Sequence, residues 1–171
     1  MKEICEYEGS PRQGARSEDS KYLTFKLADE DYGIGLLKVR EIIGMMPITK
    51  VPKTPLFMKG VINLRGKVIP IVDLRLKFDL TASEHDDRTC IIVVEISGPA
   101  GSIQMGLIVD RVSEVLGIKS DDVEPPPSFG TSVDTTYIKG MAKSNSSVKI
   151  LLDIDRVMSN GDLAVVRSAT S

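Results

Sequence analysis

Two aspartates occupy matching places in a repeated stretch of this chain, and such a pair could do acid–base chemistry. Asp73 and Asp153 each end a run of aliphatic residues, and one carboxylate from each half is the arrangement of a two-aspartate protease. Their neighbours, however, are Val and Leu at the first and Leu and Ile at the second, not the small residues that let two carboxylates approach a substrate. The flanks therefore favour capping or turn closure over catalysis.

The charged segment 79–88 is the second place where chemistry could occur. It contains Glu84-His85-Asp86-Asp87 and the single histidine of the chain. A zinc site would need a second His or a Cys at ligand spacing, so a solvated linker is the favoured interpretation. Cys90 begins a strongly apolar run and no third group would orient a Cys–His pair, while Gly33 and Gly35 are too few for a phosphate cradle. The sequence predicts no catalytic, metal or cofactor site.

Composition narrows the class of protein. The chain has 171 residues, 42% of them hydrophobic, no Trp and a formal net charge of −2. Lys and Arg are scattered, which gives no electrostatic case for nucleic acid. No apolar run is long enough to cross a bilayer, and the acidic N-terminus lacks an export signal, so we expect a cytoplasmic protein without direct membrane insertion. A free buried thiol is expected at Cys90.

An internal repeat organises the chain. Residues 60–73 align with 140–153 at an offset of 80, and residues 33–44 align with 106–117 at an offset of 73, so a seven-residue insertion follows Phe129. Each half alone would be marginally stable, which favours two halves that share a core. The copies diverge at one turn, Asn63-Leu-Arg-Gly66 against Lys143-Ser-Asn-Ser146. A plain turn accepts the second sequence, so the first indicates another role.

The elements that position these residues are mostly short strands. Alternation over residues 22–27 predicts a strand with Leu23, Phe25 and Leu27 on its buried face, followed by a hairpin turn at 28–31. Residues 61–64 and 68–72 predict a strand pair, and residues 89–96 a central strand. Pro70 confines its strand to an edge or a bulge. Strands of this length with frequent turns predict an all-β fold of small barrels.

The same pattern gives a domain plan. We expect a mobile tail at 1–20, one domain at 21–158, and a C-terminal tail at 159–171 that could form a short helix. The first barrel would lie mainly in 32–88 and the second mainly in 89–150, with an exchange of terminal strands left open. Asp73 or Asp155 could cap the short helical turns that follow the repeated strands.

The segment 36–43 carries more apolar residues than one buried face of a short strand can use. They are Leu36, Leu37, Val39, Ile42 and Ile43. Some should therefore face outward, where an apolar patch marks a partner site. The alternative is that all of them fill the interface between the halves. Val112 and Val115 hold the corresponding places in the second copy.

Taken together, six motifs resemble the CheW family of chemotaxis coupling proteins over about residues 22–158. The motifs are Tyr32-Gly-Ile, Lys38-Val-Arg-Glu-Ile42, Lys59-Gly-Val-Ile-Asn-Leu-Arg-Gly66, Pro70-Ile-Val-Asp-Leu74, Gly106-Leu-Ile-Val-Asp110 and Ile138-Lys-Gly140. The Asn-Leu-Arg-Gly turn with Pro-Ile-Val-Asp-Leu seven residues after the Asn is the most specific combination. The resemblance implies two five-stranded SH3-like barrels packed around a common core.

The resemblance also implies a function. Members have no enzymatic activity and bind no cofactor; they join the cytoplasmic tip of a chemoreceptor to the regulatory domain of the histidine kinase CheA. We therefore expect a stand-alone adaptor recruited to membrane receptor arrays. A related coupling protein for another chemosensory pathway, such as surface motility, is the alternative.

Site residues follow from the same resemblance. The family's receptor groove would fall on Leu36, Val39, Glu41, Arg65, Val112 and Val115. Kinase contacts would involve Glu124 and Phe129 in barrel-end loops, while Asn63 and Gly66 would shape the turn. Our hypothesis is that Arg65 projects from this turn and pairs with Glu41 at the rim of an apolar groove.

Overall fold

The computed structural model describes residues 19–81, 83–98, 101–126, 136–144, 147–158, 162–164 and 166. Within these ranges the fold has eleven strands, two four-residue helices and helical residues at 162–164 and 166. The strands are β1 (Asp19–Leu27), β2 (Glu30–Gly35), β3 (Val39–Gly44), β4 (Met58–Leu64), β5 (Lys67–Asp73), β6 (Cys90–Gly98), β7 (Gly101–Val109), β8 (Arg111–Lys119), β9 (Val123–Glu124), β10 (Ile138–Ser144) and β11 (Ser147–Leu152). The helices are α1 (Leu74–Lys77) and α2 (Ile154–Val157), and 3-10 turns lie at Leu36–Lys38 and Ser120–Asp122.

The strands form two sheets, and each sheet closes into a small barrel. Sheet A has the order β9-β10-β11-β2-β1-β8, and β8 runs through a 3-10 turn into β9 at the opposite end of the sheet. Sheet B has the order β3-β6-β7-β5-β4. The chain that follows β3 reaches β4 at Thr49, whose backbone exchanges hydrogen bonds of 2.8 and 2.9 Å with Val61. The predicted all-β fold of two barrels is confirmed.

The repeat is visible in the register of the strands. In the β4–β5 hairpin the pairing shifts between Met58 and Gly60, and in the β10–β11 hairpin it shifts between Ile138 and Gly140. Both shifted pairs are 80 residues apart. A Cβ on Gly60 would lie 2.1 Å from the Thr49 oxygen, and one on Gly140 would lie 2.8 Å from that of Glu124. The two bulges therefore need glycine because the backbone of another segment passes close to each of them.

The two short helices are capped by aspartates at equivalent positions of the repeat, and one of these differs from the expected cap. Asp73 accepts a hydrogen bond from the N–H of Arg75 at 2.9 Å, and Asp153 accepts one from the N–H of Asp155 at 3.2 Å. Asp73 and Asp153 are thus the N-caps of α1 and α2. The assignment of α2 capping to Asp155 is wrong, because that carboxylate pairs with Lys38 instead.

The sheets divide the chain differently from the expected boundary at 88/89. Strands β6 and β7 (residues 90–109) lie in sheet B with β3 to β5, and β8 lies in sheet A with β1 and β2. The cause is parallel pairing between the halves, in which Ile71 lies opposite Gly106 and Leu151 opposite Gly33. The chain therefore crosses from sheet A to sheet B between β2 and β3, and returns between β7 and β8.

The ends of the chain also differ from the expected plan. Strand β1 begins at Asp19, which pairs with Lys119, so the first strand starts before the expected end of the tail at residue 20. Residues 1–18 lie outside the described ranges. In the C-terminal stretch the described residues 162–164 and 166 are helical, and Leu163 and Val166 are buried.

Of the two places expected for Pro70, an edge strand or a bulge, the structure excludes the edge and has the proline beside a bulge in an interior strand. Its strand β5 has β4 on one side and β7 on the other. The parallel ladder with β7 begins only at Ile71, and Pro70 lies opposite Val61, beside the bulge at Gly60. The missing N–H of proline is tolerated because the ladder starts one residue later.

Three hydrophobic clusters form the core. The largest, which we name the common core, takes residues from both sheets, such as Leu23, Phe25 and Ile34 of sheet A with Ile92 and Val94 of sheet B. A second cluster fills barrel B and a third fills barrel A. The predicted inward face of β1 is confirmed, since Leu23, Phe25 and Leu27 are all buried. The two barrels are joined by shared apolar burial.

Barrel A also contains a nearly buried charge. Lys149 is 7% exposed, and its ammonium lies 3.2 Å from Asp31, which also pairs with Lys26 at 2.9 Å. The hydrogen bond from Lys26, with the hydrogen bond and charge of Lys149, outweighs desolvation and lowers the pKa of Asp31. Since the folded state lowers this pKa, the pair stabilises the fold above the unfolded value of about 3.9. That stability is lost as the pH falls through the folded pKa.

We predict that Asp31→Ala lowers the free energy of unfolding at neutral pH by about 3 kcal/mol, because it leaves the Lys149 ammonium buried without its carboxylate. Chemical denaturation of the mutant and parent would measure the loss, and the difference should shrink below pH 4 or so as Asp31 protonates in the parent. Asp29→Ala, a change in the adjacent exposed turn, is the control. An equal loss in both mutants would contradict the role given to Asp31.

We also predict that Gly60→Ala lowers the free energy of unfolding by about 3 kcal/mol, because the added methyl group would overlap the Thr49 carbonyl and the φ of +140° disfavours any side chain. Thermal unfolding measures this loss. Gly35→Ala is the matched control, since a Cβ there has nothing within 4 Å and its φ is −58°. Similar Tm values for Gly60→Ala and the parent would show that barrel B does not need the close crossing.

Candidate functional site

The expected groove residues lie where the chain crosses between the sheets. Val39 is the first residue of β3, directly after one crossing, and Val112 is the second residue of β8, directly after the other. The two valines are equivalent in the repeat, 73 residues apart. Both are half-buried and pack against the common core. A pseudo-symmetric pair of valines therefore reaches the surface at the junction of the barrels.

In the apolar segment 36–43, some residues pack against the core and others face outward, so both roles left open by the sequence occur. Leu36 is half-buried against the common core, as Val39 is. Leu37 and Ile42 face outward, at 92% and 45% exposure, and Val115, the repeat equivalent of Ile42, is 47% exposed. We name Leu36, Val39, Val112 and Val115 the seam surface. The first three pack against the common core, whereas Val115 is an exposed residue of β8, the last strand in the order of sheet A.

The Asn63-Leu-Arg-Gly66 turn has a strained but well-supported backbone. Arg65 and Gly66 both have positive φ, 52° and 84°, as a two-residue hairpin of the mirror-image type requires. The side-chain oxygen of Asn63 accepts a hydrogen bond from the N–H of Gly66 at 2.8 Å. A left-handed arginine costs of order 1 kcal/mol, which plain turn closure would avoid with Asn or Gly. The turn therefore holds Arg65 in a fixed direction.

Arg65 points at Glu41, as the sequence hypothesis stated. Its guanidinium donates a hydrogen bond to the Glu41 carboxylate. The Arg65 side chain is 69% exposed and that of Glu41 33%. The pair joins the β4–β5 turn to β3. Strands β4 and β3 are the two outer strands of sheet B, and most of the Arg65 side chain stays open to solvent. Its use is orientation more than stability, because an exposed pair contributes little.

Two further ion pairs anchor the first crossing. Lys38 lies 2.8 and 3.1 Å from the two oxygens of Asp155, and Asp155 also accepts a hydrogen bond from the N–H of Ser97 at 2.9 Å. Arg40 binds Glu95 through two nitrogens at 2.7 and 2.9 Å. The Arg40 hydrogen bonds and charge lower the pKa of Glu95.

A third ion pair anchors the return crossing. Arg75 donates to both oxygens of Asp110 at 2.7 and 2.5 Å and to the carbonyl of Thr81 at 2.9 Å. Asp110 also accepts from the N–H of Ala28 at 2.8 Å, and its hydrogen bond raises the pKa of Arg75. The sequence reasoning missed this anchor and the one at Lys38. The one clue in the sequence to these two ion pairs was that Lys38 and Asp110 lie inside the repeated segments 33–44 and 106–117.

The groups first considered for catalysis take part in structural bonds. His85 lines a cavity of about 100 Å³ with Asp73, Arg75 and Asp110, where Asp73 caps α1 and Asp110 binds Arg75. Within the described ranges, no three potential ligands among His, Cys, Asp and Glu come together. Cys90 is half-buried, and burial raises the pKa of its thiol.

The expected kinase-facing residues are only partly visible. Glu124 is exposed in β9, and the nearest cation is Lys143 at 3.9 Å. Phe129 and the second repeat's turn at 145–146 lie outside the described residues. In the part of the chain that is described, no helix has the length and apolar character needed to span a bilayer.

Comparison with known proteins gives one consistent result. The chain is 38% identical to chemotaxis protein CheW of Klebsiella aerogenes over 85% of this chain and 86% of that protein. The crystal structure of the scaffolding protein TtCheW from Thermoanaerobacter tengcongensis matches with a TM-score of 0.74 at 38% identity, covering 84% of this chain and 95% of that one. Protein FrzA of Myxococcus xanthus is 27% identical over 82% of this chain and 86% of that protein.

The match to a family model covers the same region. The model of the CheW-like domain aligns with residues 21–162, which include both barrels and both crossings. The double-barrel fold, the Asn63 turn and the paired seam valines lie in this range. This chain belongs to the CheW-like domain family.

Proposed function

We propose that this protein is a non-enzymatic adaptor of chemotaxis signalling that joins the cytoplasmic tips of chemoreceptors to the histidine kinase CheA. The observation that carries the proposal is the seam surface beside the Arg65–Glu41 pair. An apolar strip at the junction of two rigid barrels can receive an amphipathic helix, and the fixed guanidinium orients it. The scaffolding role named for the similar TtCheW supports this reading.

The assignment of the seam surface to receptor binding rests on how exposed its residues are and on where they lie. Leu36, Val39 and Val112 combine a core contact with a solvent-facing part, so their positions are held by the barrels. Val115 adds an exposed valine on the same strand as Val112. A preformed apolar strip lowers the ordering cost of binding, which suits a helix that brings its own apolar face.

The kinase side involves a different part of the molecule. The barrel-end strand β9, with Glu124, precedes the segment that contains Phe129. We assign these residues to contact with the regulatory domain of the kinase. Receptor and kinase would then bind one adaptor molecule at the same time, and the adaptor would be recruited to membrane receptor arrays.

A second candidate function is the same adaptor role in a different signalling pathway. The similarity to FrzA allows the chain to serve another chemosensory system, such as one for surface motility. Co-sedimentation of the purified protein with receptor-tip fragments and CheA tests the main proposal, which expects a ternary complex. Binding to neither partner would refute it, whereas selective recovery of receptors from another pathway would favour the second candidate.

We predict that Val115→Asp weakens binding to a receptor-tip fragment by about 2 kcal/mol, because the complex would bury an unpaired charge. Isothermal titration measures the affinity. Stability should change little, since Val115 is 47% exposed in the free protein. The matched control is Val148→Asp, at a valine 49% exposed on β11, which β2 and β1 separate from β8 in sheet A. Unchanged binding by Val115→Asp would remove this residue from the interface.

We predict that Arg65→Ala changes the free energy of unfolding by only about 0 to 1 kcal/mol and weakens receptor control of the kinase. The left-handed backbone remains in the mutant, so the comparison isolates the side chain. The measurements are thermal unfolding and CheA autophosphorylation in a reconstituted receptor complex. Lys67→Ala, at an exposed cation two residues away, is the control. A large loss of stability with kinase control intact would make Arg65 a structural residue.

A further inference from the structure

The internal repeat shows that one arginine has lost the partner its equivalent has kept. Lys38 and Arg111 are equivalent at the offset of 73, and Asp155 and Arg75 are equivalent at the offset of 80. Lys38 pairs with Asp155. If the second copy made the same contact as Lys38 and Asp155, Arg111 would pair with Arg75, but both of these residues are positively charged. Arg75 instead forms a salt bridge with Asp110. Arg111 forms no salt bridge within the described ranges.

A second arginine lies at the same place. Arg88 and Arg111 line one open cavity of about 550 Å³, together with Cys90, Val112 and Ser113. Arg88 likewise has no salt bridge to any described residue. Two arginines that form no ion pair with any described residue thus line one cavity, in a chain whose net charge is −2.

The carboxylate of Asp86, two residues before Arg88, is engaged by backbone groups. Asp86 accepts hydrogen bonds from the N–H of Arg88 at 2.8 Å and of Thr89 at 3.2 Å. The Arg88 N–H bond is the largest cause of the lowered pKa of Asp86, to which the Arg88 charge adds. Among the described residues, neither guanidinium group makes a hydrogen bond or salt bridge, so the donor forks of Arg88 and Arg111 are available to a carboxylate of a partner.

We propose that this cavity binds an acidic side chain, Asp or Glu, of the receptor helix that packs on the seam surface. The cavity is continuous with that surface because Val112 belongs to both. A helix with an apolar residue on Val112 and a carboxylate within one turn of it would satisfy both features. Burial keeps the Cys90 thiol neutral, so it adds no competing negative charge. This inference rests on the proposed function and names the chemistry of its partner.

The test uses the full chain and a helical receptor-tip fragment, with affinity measured at low and at physiological salt. The double mutant Arg88→Gln/Arg111→Gln should bind about tenfold more weakly at low salt and lose affinity less steeply as salt rises. The charge-matched control is Lys67→Gln/Lys119→Gln, at two exposed lysines outside this cavity. Circular dichroism should show the same fold and Tm for both double mutants.

The outcomes separate this inference from the proposed function. If the parent binds and both double mutants bind equally with the same salt dependence, the acid-binding cavity is refuted and the adaptor function stands. If the arginine mutant binds more weakly with an unchanged salt dependence, the arginines contribute by packing, which also refutes a carboxylate contact. If the parent does not bind any receptor fragment, the proposed function fails and this inference fails with it.

Discussion

Strand pairing between the two halves of the repeat is the constraint on which the rest of the structure depends. Ile71 lies beside Gly106, and Leu151 beside Gly33, in parallel ladders that only the complete chain can form. At Gly106 a Cβ would lie 2.6 Å from Ile71 and Ile91, so the absence of a side chain allows the strands to meet. Neither barrel can close without a strand from the other half, which makes the two a single cooperative unit.

The crossings that this pairing demands also create the seam surface, which we propose as the binding surface. A chain that leaves one sheet for another must pass the common core at its edge, where side chains are packed on one side and solvated on the other. Val39 and Val112 occupy the two equivalent edge positions. Ion pairs at Lys38 and Asp110 fix the crossing segments, so the apolar strip is presented by a rigid frame.

The duplicated halves have diverged where they meet solvent. The first copy holds a left-handed Arg65 against Glu41, at a cost in backbone strain that function can justify. In the second copy Arg111 stands where the first has Lys38, but the position that matches the acidic partner Asp155 is Arg75, and Arg111 lines a cavity with Arg88 instead. The two copies thus supply unlike charged features beside one apolar seam, which under the proposed function lets a pseudo-symmetric scaffold distinguish the sides of an asymmetric helix.

Local residue patterns predicted much of this molecule. Alternation identified the buried face of β1, the flanks of Asp73 and Asp153 favoured a capping role for both, and the divergent turn pointed to Arg65, whose pairing with Glu41 followed once the family resemblance was added. These features depend on neighbouring residues or on contacts that the repeat makes visible.

The tertiary structure alone decided which strands share a barrel, why Pro70 lies in an interior strand, and which side chains anchor the crossings. Each depends on pairing between residues far apart in sequence, such as Asp110 with Arg75 and Asp155 with Lys38, which spacing along the chain does not encode. The sequence by itself determined an all-β duplicated chain with an exposed arginine turn. Only the exchange of strands between halves, driven by burial of one common core, determined the surface that this arginine borders.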